Sequence, residues 1–336
     1  MVSAAPGSGP GRVAIIGAGM AGLACAQRLV QAGLSVRLLD KGRGAGGRMS
    51  TRRIQTSQGE ACFDHGAAVF RVEDPAFRRC VEDWIGEGCV APWPEAGPNA
   101  MVGLPTMNAP LKALARDLDV EWSAQVCGLS RGASGWMLDV VGRDPGSEGP
   151  FDVVVLAIPP EQATPLLSPH SFDLAVYAAM AQSEAVWSAM VAFDSQLPLD
   201  VQRRGGCETL AVAIRENSKP GRSGPEAWTL QATGSWTQRR LDTSAGEVAT
   251  LLLEALACRL DGPLPQVLAL QAHRWRYARP ARLTSGPIWR AGVGLGLCGD
   301  WVAGDGVEAA WCSGVRLADR ISGRVRSGFE QDCAAP

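Results

Sequence analysis

A chain of 336 residues, 46% apolar and 20% charged, has the composition of a folded globular protein and is long enough for two domains. Its 32 Lys and Arg against 34 Asp and Glu leave a net charge of −2, so no global field favours nucleic acid or an anionic membrane as partner. The ten cysteines contain no CxxC pair, which argues against a zinc knuckle, an iron–sulfur site or a disulfide scaffold; most read as buried thiols of a reducing compartment.

Residues 1–10 read as a flexible lead-in. The apolar stretch 13–26 is interrupted by glycines and followed by Arg28, so it is neither a signal segment nor a membrane span, and a soluble cytoplasmic protein is expected. Residues 13–16 form an apolar strand leading into Gly17-Ala18-Gly19-Met20-Ala21-Gly22. Helical periodicity over 21–31 follows, Gly33 stops it, and 35–39 makes a second strand ending in Asp40. This is a β-α-β unit with parallel strands. Next come the glycine-rich run 41–48, the FDHG segment at 63–66 and a helix around 77–85. The proline-rich stretch 91–110 reads as crossing loops. A short helix is expected over 112–118, and an antiparallel pair at 120–126 and 136–141. The apolar run 151–158 suits the middle of a parallel sheet. Beyond Trp187, strands at 187–193, 209–215 and 228–233 suggest an antiparallel sheet, joined by a helix at 245–260 and a strand at 267–273. A short strand at 295–298 and a helix at 307–320 close the pattern. The fold class is α/β: a parallel nucleotide domain assembled from both ends and the middle of the chain, with a mixed α+β domain inserted.

A GxGxxG hexapeptide alone is a weak signal. Here it follows a strand, opens a helix and precedes a strand ending in an acid, which makes it strong. Gly17 permits the turn, Gly19 lets a pyrophosphate approach the helix N-terminus, and Gly22 allows close helix–strand packing. Asp40 can accept hydrogen bonds from ribose hydroxyls. FAD and NAD share the ADP moiety, so the motif does not separate them. Beyond Lys41, the set Gly46-Gly47-Arg48 offers backbone amides and a guanidinium to a pyrophosphate; Arg43 reads equally as cofactor contact or surface residue. Far along the chain, a strand runs into Gly299-Asp300 and then a helix N-terminus. Such a turn can hold a ribityl chain through Asp300 and direct the helix dipole at a flavin, or Asp300 can be a simple turn acid.

The run 13–53, including DKGRGAGGRMSTRR, resembles renalase-type members of the amine-oxidase-like flavoproteins. So do FDHGA at 63–67, VGLPTMNAPLKALA at 102–115, HRWRYA at 273–278 and the CGDW…GDGVEAAWCSG region. The resemblance spans nearly the full length. It implies non-covalent FAD and a Rossmann-like, hydroxybenzoate-hydroxylase-like FAD domain at 11–75, 100–165 and 280–330, with a substrate domain at 76–99 and 166–279. It further implies that Gly17, Gly19 and Gly22 hold the pyrophosphate, Asp40 the adenosine ribose and Arg48 the phosphate region, with Ala18, Met20, Ala21, Lys41, Arg43 and Gly47 also among the cofactor-binding residues. Val126 would meet the adenine side through its backbone, and Gly299, Asp300 and Val307 the flavin side. The activity implied is oxidation of misreduced isomers of NADH and NADPH, a hydride passing to flavin and then electrons to oxygen, with hydrogen peroxide released. At Ala68-Val69 the chain departs from its relatives, which leaves the pocket wall open.

No general base is needed for that reaction, since the dihydropyridine ring becomes aromatic by losing hydride, and only three histidines are present. His170 reads as a surface residue. His65 either lines the pocket or packs against backbone. His273, Trp275 and Tyr277 share one parity of a strand, with Arg276 on the other, so they are either substrate contacts or a structural aromatic face. The alternative activity is that of a flavin-dependent amine oxidase.

Overall fold

The computed structural model describes residues 11–199, 202–204, 208–281, 283 and 286–323. The lead-in expected at 1–10 and the end of the segment 280–330 lie outside them.

The first apolar strand, Arg12–Ile16, sits at the centre of the main sheet because it is apolar on both faces. Val13 and Ile15 enter one core and Ala14 and Ile16 the other. The six strands run in the spatial order Ile288–Arg290, Leu295–Leu297, Val153–Leu156, Arg12–Ile16, Ser35–Asp40, Asp119–Trp122, and every pair is parallel except the first. Helices Met20–Gln31 and Gly306–Ile321 lie together on one face. They approach so closely that a Cβ on Gly314 would stand 2.1 Å from the Ala21 carbonyl oxygen. The first and last of the described helices are thus locked into one layer.

Several elements differ from expectation. The strand expected over 120–126 is two elements. Asp119–Trp122 extends the parallel sheet, while Val126–Gly132 pairs with Gly135–Val140 in a separate antiparallel sheet. Ser123, at φ 60°, makes the break. The run 151–158 is interrupted at Asp152, whose carboxylate accepts from the Arg12 amide at 2.7 Å. Within the proline-rich stretch, Val90–Pro92 and Ala100–Gly103 pair as strands, so it is not only loop. The helix after it spans Ala109–Ala115. Segment 76–99, expected with the inserted domain, places Phe77, Val81 and Trp84 in the core that holds Leu23. The Phe77 and Trp311 rings lie 5.4 Å apart.

The second sheet is wholly antiparallel, in the order Gln202–Arg204, Leu210–Arg215, Glu226–Ala232, Ser183–Phe193, Val267–Pro280. Helix Ala245–Ala257 covers one face through Val248, Leu252 and Leu256. The hairpin Arg52–Thr56 and Gly59–Phe63 packs Ala61 and Phe63 on the other, against Met190 and Ala192. The last strand continues beyond His273 to Pro280 because Ser183–Phe193 is long enough to pair with all of it; as an edge strand it also tolerates the terminal proline. No described helix is long and apolar enough to cross a membrane.

Candidate active site

A cavity of about 1320 Å³ opens at the carboxyl ends of the parallel strands, where Ile16, Asp40 and Ile158 face the edge strand Val267–Pro280 of the second sheet. Its position follows from topology: the crossovers leave Arg12–Ile16 and Val153–Leu156 in opposite directions, and a crevice remains between them.

At one end stands the glycine turn. Gly17 has φ 101°, and a Cβ there would lie 2.6 Å from the Ala157 carbonyl oxygen. Gly19 caps helix Met20–Gln31 with no side-chain hydrogen bond, and a Cβ on it would meet no protein atom within 4 Å; it would project into the cavity. The amides of that helix N-terminus are therefore free for an anionic ligand. Met20 and Ala21 line the cavity, whereas Ala18 and Gly22 stand behind it. A Cβ on Gly22 would be 1.9 Å from the Gly17 carbonyl oxygen. Asp40 lines the cavity and also ties two turns together, its Oδ2 accepting from the Ala18 amide at 2.7 Å and its Oδ1 from Gly42 at 2.6 Å. Lys41, Arg43, Gly47 and Val126 complete this end, Lys41 and Arg43 being exposed.

Further along, Arg48 and Asp300 form a two-pronged ion pair, Nη1–Oδ2 at 2.6 Å and Nη2–Oδ1 at 2.7 Å. Arg48 Nη1 also donates to the Ala278 carbonyl at 3.2 Å. Burial opposes the guanidinium charge, but Asp300, with Asp305 and Glu161 beyond it, overrides that and raises the Arg48 pKa. Gly299 donates its amide to Ser313 Oγ at 3.0 Å, fixing the turn that carries Asp300. Helix Gly306–Ile321 starts at Asp305 without a side-chain cap, and Gly299, Asp300 and Val307 all line the cavity. Two uncapped helix N-termini thus face one space.

The far wall comes from the edge strand. Trp275 and Tyr277 line it, and so do Arg274 and Arg276, because both parities of a twisted edge strand reach the cavity. His65 and His273 do not line it. They pack behind Trp275, His65 tilted and His273 edge-on, with ring centroids 5.0 and 4.6 Å from the indole. The indole Nε1 donates to the His65 carbonyl at 2.9 Å. Burial, with His273 and Arg52 adding to it, pushes the His65 imidazole down to about 4, so it is neutral at neutral pH. His170 is half-buried rather than a surface residue: Nε2 bonds the Leu129 carbonyl at 2.7 Å and the ring stands edge-on to Trp136.

Sequence reasoning overlooked Glu161, Gln231, Arg274 and Asp305, which also line the cavity. Glu161 opens a helix just after a central parallel strand, a position that points to a site. Gln231 lies in the other sheet, and no local pattern marks it. The thiols differ from expectation as well. Among the described cysteines only Cys25, Cys298 and Cys312 are buried, and all eight are free. No described group of His, Cys, Asp and Glu is placed to hold a metal ion.

A cavity of this volume with glycine-lined walls, two open helix N-termini, an acid after the second strand and a buried acid beside an arginine fits an extended dinucleotide such as FAD. Fold and cavity together are those of a dinucleotide-binding protein. Residues 15–84 match the NAD(P)-binding Rossmann-like domain, and residues 93–322 match the flavin containing amine oxidoreductase model. Among solved structures, cyclohexylamine oxidase from Brevibacterium oxydans IH-35A is 14% identical with a TM-score of 0.67, covering 94% of this chain and 99% of its own. A cofactor-binding redesign of putrescine oxidase is 16% identical with a TM-score of 0.63, at 94% and 99% coverage. A protein from Exiguobacterium sp. 255-15, provisionally assigned as a protoporphyrinogen oxidase, is 13% identical with a TM-score of 0.57, at 95% and 100% coverage. These likenesses describe the fold. The chain belongs to the flavin containing amine oxidoreductase family and is an FAD-dependent oxidoreductase.

Proposed function

We propose that this oxidase removes hydride from a carbon bonded to an electron-rich nitrogen, and that its substrate is an amine. The observation that carries the reading is the family match over residues 93–322, which include the Trp275–Tyr277 wall and the Asp300 turn. Two of the three structures named above, cyclohexylamine oxidase and putrescine oxidase, are oxidases of amines, which is consistent with it. FAD, when bound without a covalent link, supplies the hydride acceptor and passes the electron pair to oxygen. The chain's own residues bind and orient. Gly17, Gly19 and the helix amides would hold the pyrophosphate, Asp40 the adenosine ribose, and the Arg48–Asp300 pair the stretch leading to the ring. Trp275, fixed by its bond to the His65 carbonyl, presents an aromatic edge to the substrate. His65 behind it is neutral at neutral pH and so brings no charge of its own to that wall.

A second reading, the renalase-type oxidation of isomeric dihydronicotinamide nucleotides, is favoured by a separate observation. Arg274 and Arg276 line the same cavity, and Arg276 makes no hydrogen bond or ion pair among the described residues. An unpaired guanidinium suits a substrate carrying phosphates. Both substrates share the reacting C–H bond next to nitrogen: loss of hydride gives an iminium ion from an amine and an aromatic pyridinium from the dihydro ring. Anaerobic mixing of the holoenzyme with cyclohexylamine, with putrescine and with separated 2-dihydro and 6-dihydro isomers of NADH decides between them. Rapid flavin bleaching by an amine alone supports the first reading, and bleaching by the isomers alone replaces it with the second.

A further inference from the structure

A cluster of four charged side chains lies wholly inside the protein, away from the cavity. Asp64 Oδ2 accepts from Lys219 Nζ at 2.9 Å and from Arg222 Nη2 at 2.6 Å. Its Oδ1 accepts from Thr51 Oγ1 at 2.5 Å and from the Met107 amide at 3.2 Å. Lys219 also donates to Glu216 at 2.7 Å, and the Asp64 amide donates to the same carboxylate at 3.1 Å. All four side chains are at most 3% exposed. Burying such a set is costly, and apolar residues of like volume would commonly serve stability as well. What the cluster secures is a particular piece of backbone in a particular place.

That piece is the segment 64–67, and its main chain leads straight to the cavity wall. The His65 carbonyl accepts from Trp275 Nε1 at 2.9 Å, and the Gly66 carbonyl accepts from Gln231 Nε2 at 2.6 Å. The Ala67 amide donates to the Arg48 carbonyl at 2.8 Å. Trp275, Gln231 and Arg48 all line the cavity. At Gly66 there is no slack, since a Cβ would stand 2.1 Å from the Arg48 carbonyl oxygen and 3.1 Å from Trp275 Cζ2. The segment is a rigid strut, with its anchored end in the ion cluster and three cavity residues hung from the rest.

We propose that Asp64 is a positioning residue that, through segment 64–67, sets the places of Trp275 and Gln231 on the substrate side and of Arg48 on the cofactor side. It reaches neither ligand itself. Asp64 holds its four partners as a carboxylate, Lys219 and Arg222 outweighing the burial that would otherwise protonate it. Four donors converge on its two oxygens, one arrangement that fixes the carboxylate in place, although Arg222 Nε and Nη1 make no hydrogen bond among the described residues. The proposal rests on the cavity being the flavin site but not on the identity of the substrate.

The test uses holoenzyme labelled with 5-fluorotryptophan, the Trp275 and Trp136 resonances being assigned by W275F and W136F. Asp64→Asn should move or broaden the Trp275 fluorine signal, leave that of Trp136 in place, and raise the Kd for FAD about tenfold. Thr51→Val, which removes one hydrogen bond and no charge, should do the same in smaller measure and serves if Asp64→Asn does not fold. A cluster with only a stabilising role would lower the melting temperature without touching the Trp275 signal. A folded D64N protein with unmoved Trp275 and unchanged FAD affinity overturns the proposal, and so does a T51V protein unchanged in both. Neither readout involves substrate, so failure of the amine reading would not be mistaken for failure of this one.

Discussion

Arg48 and Asp300 are 252 residues apart in sequence and meet in a two-pronged ion pair on the cavity wall. Asp300 is almost fully buried while Arg48 keeps about a third of its side chain open to the cavity. One partner is thus fixed by the fold and the other is available to a ligand. The pair also closes the nucleotide unit, because it joins the loop after the second parallel strand to the turn before the last helix.

Arg48→Lys keeps the charge but loses the planar fork. We expect FAD binding to weaken about tenfold in this variant, and more in Arg48→Met, where Asp300 is left without its cation. Fluorescence titration of apoprotein with FAD measures both. Affinity equal to the parent in both variants would remove the pair from the cradle.

The glycines of the first turn separate folding from binding. Gly19 has an ordinary extended φ of −79° and open space beside it, so Gly19→Val should fold with a nearly unchanged melting curve and retain no flavin. Gly22→Ala would drive a methyl group into the Gly17 carbonyl and should cost about 1–3 kcal/mol of stability. Flavin content by absorbance and stability by urea unfolding distinguish the two. A Gly19→Val protein purified with full flavin would exclude the pyrophosphate from this turn.

His65 gives the protein a pH-dependent stability of definite sign. Its folded pKa, about 4, lies below the ordinary 6.5, so between those values the unfolded chain binds the extra proton. Stability is fully present above pH 6.5 and falls as the pH drops toward 4, by at most about 1.4 kcal/mol per pH unit. Burial also lowers His273, with Arg52 adding to it, and its contribution has the same sign. Asp64 contributes only at lower pH, between its ordinary value and about 2. Urea unfolding at pH 7, 6 and 5 should show the slope, and His65→Gln should reduce it. A slope identical in the variant would assign the effect elsewhere.

Arg276 discriminates the two substrate readings. Arg276→Ala should raise KM about tenfold for a substrate bearing phosphates and leave KM for a neutral amine unchanged. Steady-state oxygen consumption with each substrate class reads this directly. Equal KM values in variant and parent for a phosphate-bearing substrate would show that Arg276 does not meet it.

The parallel unit was legible because its signals are local. An apolar strand, a glycine turn, a small-residue helix and an acid at the end of the next strand lie within 30 residues, and each has a steric or electrostatic reason to be there. Asp300 was legible for a like reason, being a turn acid between a strand and a helix. The split at Ser123 and the break at Asp152 were not, because each depends on which strand lies alongside. The reading of His65 and His273 depended on the edge strand's orientation, and parity alone could not show that the rings pack behind Trp275 instead of facing the cavity.

By itself, then, the sequence determined a dinucleotide cradle, since backbone sterics and helix N-termini act over a few residues and leave their mark in residue type. Only the tertiary structure decided that Arg48 would meet Asp300, that an edge strand of the second sheet would supply the far wall, and that a buried acid at position 64 would hold that wall in register. Those are contacts between residues brought together by sheet order and packing, and no spacing along the chain encodes them.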